Sequence, residues 1–436
     1  MKLNWFSPLP PARTDIANYT KRILPALKEQ YEIILWTDQS KWDSEMEKEF
    51  EIRHYNYDQM PWPELNLNGL AVFNIGNNFH FHYSIWEVSQ RHPGIVVLHD
   101  FRLHDFFSEI YRVIRNDREG YLEKMEFYYD QAGRKAGVDF FDGNLTIDHM
   151  NEHYPLTFLS LENALGVIVH TRKNLRELKR ESRWPVSYIP LPYAVEDHFT
   201  MVRAKKSPYR LIVFGYIGKN RRLDQILKSI AAFEERDSFH LDIYGELWDI
   251  NYIHNQIRSL GLEHLITLHG FVPEIELDKA LSTAHLALNL RYPDMGEASG
   301  SQLRIWNHAL PSLVTKVGWY ADISEQAVAF VRPDHEITDI QACLKSFLNN
   351  PYSFEKMGKK GREILKKYHN PVAYAKAIEE FTAQTDTFRS YQTVQYLTSR
   401  VSKEMSSSLS QEILNDMFKS AAEKIYEITV SGESSR

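Results

Sequence analysis

Short apolar runs rich in β-branched residues alternate with amphipathic stretches along this chain, and the alternation occurs twice. Strands buried on both faces read as continuous apolar runs. Such strands belong to parallel sheets whose crossovers are helices, so the pattern predicts an α/β protein with two parallel sheets. The first series is Lys2–Phe6, Ile33–Thr37, Ala71–Ile75, Ile95–Leu98, Val167–His170 and Ser187–Ile189, with helices such as Ala17–Lys28 and Tyr83–Gln90 between them. A helical stretch from about Phe106 to Leu161, loaded with Tyr, Asp, Glu and Arg, interrupts it and reads as an insertion over the first sheet. Around Val195–Pro208 the chain turns polar and basic, which marks a linker. The second series is Leu211–Phe214, Leu241–Tyr244, Ile266–His269, Leu286–Asn289, Ser312–Thr315 and Ala327–Val331. Beyond Pro371 the sequence reads as helix, continuing amphipathically from about Asp386 to Ile428, with a frayed end over Val430–Arg436, the whole tail being 386–436. The expected domains are 1–200, 209–370, a helix over 371–385 returning to the first domain, and the helical tail. A length of 436 residues, 43% of them hydrophobic, suffices for two cores.

Composition removes several function classes. The net charge is −7 and the 51 basic residues are scattered, so no positive face suits nucleic acid. The single cysteine, Cys343, precludes an intrachain disulfide and fits a reducing compartment and a core position. The N-terminus becomes proline-rich before a secretory apolar stretch could form, and no run of about 18 apolar residues occurs. The expectation is a cytoplasmic protein, at most peripheral to the inner face of a membrane. No Asp-x-Asp motif ends a strand and no His/Cys spacing suggests zinc, so neither a metal nor a cofactor is expected.

The densest chemical signal is Arg291-Tyr-Pro-Asp-Met-Gly-Glu297-Ala-Ser-Gly300-Ser-Gln-Leu-Arg304, which leaves a strand, turns at glycine and enters a helix. Free N–H groups and the positive end of the helix dipole point outward there, and Gly296 and Gly300 permit close approach to the backbone. A diphosphate fits such a site, although Ser299 as an ordinary helix cap is the plain alternative. The turn Gly218-Lys-Asn-Arg221-Arg222 offers candidate cations. His99 ends a strand of the first sheet, where ligands collect in open α/β folds.

From Arg291 through Gly318 the chain resembles retaining glycosyltransferase family 4, especially members with an Arg-Tyr-Pro-x-x-Gly-Glu-x-Ser-Gly run. Further pieces agree in order: Phe6-Ser-Pro with Ile16-Ala-Asn-Tyr19, Ile75-Gly-Asn77, Val96-Val-Leu-His99-Asp100, Gly166-Val-Ile-Val-His170, Phe214-Gly-Tyr-Ile-Gly218 and His269-Gly-Phe271-Val272. The resemblance covers roughly residues 1–385. It implies the GT-B fold, two Rossmann-like domains facing across a cleft, and retaining, metal-independent transfer of a sugar from a nucleotide-sugar donor, expected to be a UDP- or GDP-sugar. The implied acceptor is a glycan, a lipid-linked saccharide or a protein. Glu297, His99 and Arg222 are implied as catalytic, with Arg222 favoured over Arg221 by its spacing from Gly215. Arg221, Gly218, Phe271, Val272, Gly296, Ala298, Ser299, Gly300, Ser301 and Arg304 are expected on the donor side. Asp15, Ile16, Tyr19, Asn77, Asp100 and His104 are expected on the acceptor side, with Asp100 or a backbone carbonyl fixing the tautomer of His99.

Three positions depart from the family. Where a second glutamate follows the first by eight residues, this chain has Ile305 or, counted back from Leu310-Pro311, Arg304. Thr14-Asp15 replaces a glycine before Ile16, and Tyr216 stands where an arginine is usual. These changes also fit a catalytically silent nucleotide- or carbohydrate-binding protein whose tail from Asp386 recruits a partner or a second copy. An epimerase or phosphorylase on the same architecture lacks support from any lysine-cofactor or carboxylate signal.

Overall fold

The computed structural model describes residues 2–67, 69–195, 203, 204 and 206–385. It contains two parallel sheets. The first is built from β1 (Lys2–Phe6), β2 (Glu32–Thr37), β3 (Glu51–His54), β4 (Leu70–Ile75), β5 (Gly94–Leu98), β6 (Ala164–Val169) and β7 (Val186–Tyr188), in the order β3-β2-β1-β4-β5-β6-β7. The second is built from β8 (Tyr209–Phe214), β9 (Phe239–Tyr244), β10 (Ile266–Gly270), β11 (Leu286–Asn289), β12 (Ser312–Thr315) and β13 (Ala329–Val331), in the order β10-β9-β8-β11-β12-β13. The expected strands are present, and β3 is additional. Its sequence Glu-Ile-Arg-His carries no apolar run because it is an edge strand paired only with β2.

In both sheets the winding reverses at the first strand: β1 lies between β2 and β4, and β8 between β9 and β11. Loops leaving the carboxyl ends of strands on either side of such a point diverge and leave a crevice, so the topology itself predicts where a ligand binds. The expected two-Rossmann GT-B architecture is the one observed.

Both sheets are covered by helices. One apolar cluster spans the two halves, bringing Trp5, Ile23 and Leu35 together with Trp306, Trp319, Ile378 and Phe381. Each such side chain contributes about 1.5–3 kcal/mol on burial, so this shared cluster holds the halves together. The helix over 371–385 adds polar ties to the first half: the Tyr374 and Tyr19 hydroxyls lie 2.5 Å apart, and those of Thr382 and Tyr31 2.9 Å apart. Between β5 and β6 the chain inserts the helices His104–Glu109, Arg118–Phe141 and Ile147–His153. The long one breaks at Tyr129 and Asp130, the latter at φ 56°. Residues 196–202 and 205 of the expected linker, and the expected tail over 386–436, lie outside the described residues.

Candidate active site

The loops at the two switch points enclose a cavity of about 190 Å³ between the halves. Its first-half wall comprises Asp15, Ile16, Tyr19, His99, Asp100 and His170; its second-half wall comprises Arg291, Glu297, Ala298, Ser299, Gly300 and Ser301. Two helices begin on this space. Asp15–Leu27 is capped by Thr14, whose hydroxyl accepts from Ile16 N, and Gly300–Asn307 by Ser299, whose hydroxyl accepts from Gln302 N at 3.1 Å. Their unpaired N–H groups make this the electropositive backbone region of the cleft.

The turn before Gly300 is docked on the first half. Met295 O accepts from Phe101 N and Arg102 N at 2.8 and 2.9 Å, and Gly296 O accepts from Asn174 Nδ2 at 2.6 Å. Gly296 adopts φ +77°, and a Cβ there would stand 2.4 Å from Phe101 Cβ, so only glycine closes this contact. Gly76 has a related role behind Asp100, where a Cβ would lie 3.1 Å from Asp100 Oδ2.

Glu297 accepts from Met295 N at 2.7 Å and is ion-paired with Arg291. Asp100 accepts from Asn77 N at 2.7 Å. Its carboxyl is pushed up to about 7 by burial and then by the charge of Glu297, against the pull of Asn77 N–H and Arg291. Arg221 is buried at the end of the turn after β8. It donates to Asn289 Oδ1 at 2.8 Å and lies 3.4 Å from Ser301 Oγ. Burial and the neighbouring Arg291 pull its proton affinity down to about 10, so it remains a cation at neutral pH. Asn289 also donates to Gln302 Oε1 and Tyr320 OH, which fixes the acceptor that Arg221 uses.

His99 is buried and held neutral, well below its usual range, by burial and by His170 and His82. Its Nε2 lies 3.0 Å from Asn74 Oδ1, and Asn74 Nδ2 donates to Phe6 O. Asn74 therefore presents only its oxygen, Nε2 carries the proton, and Nδ1 keeps its lone pair. The expectation that Asp100 or a carbonyl sets this tautomer is corrected, because the side chain of a neighbouring strand reaches the ring first. His170 ends β6 as His99 ends β5, and the rings are 5.2 Å apart. His170 Nδ1 donates to Ile189 O, leaving its buried Nε2 without a hydrogen-bond partner.

Several expected residues stand elsewhere. Arg222, favoured from its spacing, adopts φ 56° at the start of the helix Leu223–Ala231 and pairs through Nε and Nη2 with Glu336 at 2.5–3.0 Å. The left-handed residue turns the chain so that consecutive arginines diverge; Arg221 enters the cleft and Arg222 leaves it. Arg304 is taken up by Asp278 at 2.7 Å and Glu274 at 2.6 Å, and Ile305 is core. His104 is fully buried under the insertion, between Tyr154 O at 2.6 Å and Tyr121 OH at 2.8 Å. Asn77 Oδ1 accepts from Phe106 N in the helix His104–Glu109. Gly218 borders a separate groove. Phe271 is exposed under the Arg13 guanidinium, 4.5 Å from the ring centroid, and Val272 packs on the apolar cluster that holds Phe214, Tyr244 and Leu281. Arg291 and His170 are site residues the sequence reading did not single out. Both signals were present: Arg291 opens the chemical run, and His170 ends a strand as His99 does.

Among the described residues no group of three or more His, Cys, Asp or Glu side chains is placed to hold a metal ion, and no helix is long and apolar enough to cross a membrane.

Residues 195–364 match the family model of glycosyl transferases group 1. No curated protein matches the chain significantly by sequence. Solved structures share its fold. Sucrose-phosphate synthase from Thermosynechococcus elongatus aligns with TM-score 0.60 at 15% identity, covering 89% of this chain and 100% of that one. Anabaena HepE, solved in complex with UDP, aligns with TM-score 0.59 at 10% identity, covering 88% and 100%. WaaG, a glycosyltransferase involved in lipopolysaccharide biosynthesis, aligns with TM-score 0.54 at 13% identity, covering 86% and 99%. These likenesses establish the GT-B fold, and the family match concerns the second half.

Proposed function

We propose that this protein is a retaining, metal-independent glycosyltransferase that moves a sugar from a UDP- or GDP-sugar onto a glycan, a lipid-linked saccharide or a protein. The observation that carries the reading is Arg291 and the N-terminus of the helix Gly300–Asn307 on one cavity, with the buried Arg221 behind them, 3.4 Å from Ser301 Oγ. Glu297 already offsets Arg291, whereas Arg221 donates to the neutral Asn289 and lies beside Ser301, so a diphosphate would supply an anion to Arg221 and the helix amides. The match to glycosyl transferases group 1 supports the same class.

In this reading the diphosphate lies against Arg221, Ser301 and the amides after Ser299, and Glu297, oriented by Arg291 and Met295 N, accepts from donor-sugar hydroxyls. As the anomeric C–O bond lengthens, negative charge grows on the departing diphosphate. Preorganised cations and N–H dipoles then stabilise the transition state more than the bound donor. Neutral His99 and His170 border the sugar side, each with a ring-nitrogen lone pair that can accept from a hydroxyl. Ile16, Tyr19 and Asp100 face the acceptor side, whereas Asp15, expected there too, stands at the start of the helix Gly300–Asn307. The proposed setting is the cytoplasm, with peripheral contact at the inner membrane face where the acceptor is lipid-linked.

The second reading, a silent nucleotide- or carbohydrate-binding protein, is favoured by one observation. The Asp15 carboxylate stands close to Gly300, 3.3 Å from where a Cβ would be, at the helix start where the diphosphate would bind. Calorimetry with UDP, GDP and their sugar conjugates, followed by assay of sugar release, separates the two. Selective binding with slow release of sugar, both lost in Glu297→Ala and Arg221→Ala, supports transfer. Binding with no release from any conjugate supports the silent protein, and no binding at all removes both.

A further inference from the structure

The turn Gly218–Arg222 has two faces. One sends Arg221 into the cleft. The other borders a separate groove of about 270 Å³ whose floor is Leu223 and Ile253. Among the described residues eight Phe, Tyr or Trp side chains are exposed, and four of them, Tyr216, Trp248, Tyr252 and Tyr292, gather around this one turn. Lys219 Nζ lies 4.5 Å from the Trp248 ring centroid, and the Trp248 and Tyr252 rings are 5.3 Å apart. Tyr216 packs on Gly218, where a Cβ would be 3.5 Å from its ring, and Tyr292 N donates to Asn220 O at 2.8 Å. Trp248 is the exposed tryptophan among the described residues, the others being wholly or partly buried. Concentrating exposed aromatic area in a concave place costs solubility and marks a binding surface.

The polar groups on the groove identify its occupant. Lys219 and Asp224 offset each other, and Glu336 neutralises Arg222. A groove without net charge does not suit a nucleoside diphosphate or a polyanion. Flat aromatic rings edged by one ammonium and one carboxylate suit a pyranose, which has an apolar C–H face and a rim of hydroxyls that both donate and accept. We propose that this groove is a saccharide subsite that holds a neutral sugar residue of an extended acceptor, stacked on Trp248 and Tyr252 with its rim on Lys219 and Asp224. The inference rests on the transfer reading for its role: binding a sugar remote from the reacting one supplies free energy that positions the acceptor at the cleft.

The full chain labelled with 5-fluorotryptophan, its Trp248 fluorine resonance assigned by Trp248→Phe, is titrated with maltohexaose, cellohexaose and chitohexaose. The expected result is a shift of the Trp248 resonance with at least one of them at millimolar concentration. Affinity should be weaker by about tenfold or more in Trp248→Ala and in Asp224→Ala, with UDP affinity at the cleft unchanged in both. The subsite is overturned if none of the three moves the resonance, or if the affinity is indifferent to both substitutions, while UDP still binds. A Trp248 shift in a protein that does not bind any nucleotide keeps the saccharide site and removes the transfer reading instead.

Discussion

Two neighbouring arginines show how far chemistry depends on one dihedral. Arg221 and Arg222 are equivalent in charge and one position apart, yet φ 56° at Arg222 directs one guanidinium to the cleft and the other to Glu336. Arg221→Ala should weaken UDP binding by roughly 1.5–3 kcal/mol, the value of a charge-assisted hydrogen bond, with little change in melting temperature. Arg222→Ala should do the reverse. It leaves the buried Glu336 carboxylate unpaired and should cost about 1–3 kcal/mol of stability, allowing for the partial exposure of Arg222, while nucleotide affinity holds. Calorimetry and urea unfolding on both variants check the crossed pattern, and equal effects on both properties would refute it. The sequence displayed both arginines but not the left-handed turn between them. Likewise Asn74 is a polar residue inside an apolar strand that the sequence did not single out, and its contacts with His99 and Phe6 O give its role.

At the scale of elements, the strands were readable because burial on both faces leaves an unmistakable apolar run. β3 was not, since an edge strand needs no such run. The chemistry sits in the segments that leave those strands. The Asp294–Gly296 turn illustrates this: its glycine could be seen in sequence, but the reason for it, a contact with Phe101 of the other half, could not. Gly296→Ala should force the turn off the first half, lowering stability by about 1–3 kcal/mol and reducing sugar transfer more than nucleotide binding, because Glu297 and Arg291 lie on the displaced segment. Steady-state kinetics with calorimetry would show this as a fall in kcat, and unchanged kcat would mean that the turn is not part of the site. Ser299→Ala removes the cap of the helix at the proposed diphosphate position and should cost about 1 kcal/mol of stability, measured by thermal or urea unfolding.

The molecule as a whole buries titratable groups whose effects on stability oppose each other. His82, His104 and His170 are pulled down to about 4 by burial. Their folded values lie below the ordinary 6.5, so the stability they confer is present above 6.5 and is lost as pH falls toward 4. Asp100 is raised from 3.8 to about 7, so its contribution is present below 3.8 and is lost as pH rises through 7. With His99, His285 and His369 also held down by burial, and Asp105 also raised by it, six histidines stand against two raised carboxyls and outweigh them between about pH 4 and 6.5. The protein should therefore lose stability on acidification, and Asp100→Asn should make that loss steeper by removing an opposing group. Urea unfolding at several pH values tests the sign; a shallower dependence in Asp100→Asn would contradict it.

By itself the sequence determined that this chain forms two parallel sheets with helical crossovers, because strand burial and helix amphipathicity are local periodicities imposed on every residue. It also marked the segment from Arg291 to Ser301 as a candidate anion site, because a glycine turn entering a helix exposes backbone donors wherever it occurs. Only the tertiary structure decided which charged side chains share the cavity. Arg304 looked available in sequence and is consumed by Asp278 and Glu274, whereas Arg291 looked incidental and pairs with Glu297. The physical reason is range. Periodicity and backbone polarity are set within a few residues, whereas the partner of a guanidinium is set by whichever carboxylate the fold brings within about 3 Å, from any distance along the chain.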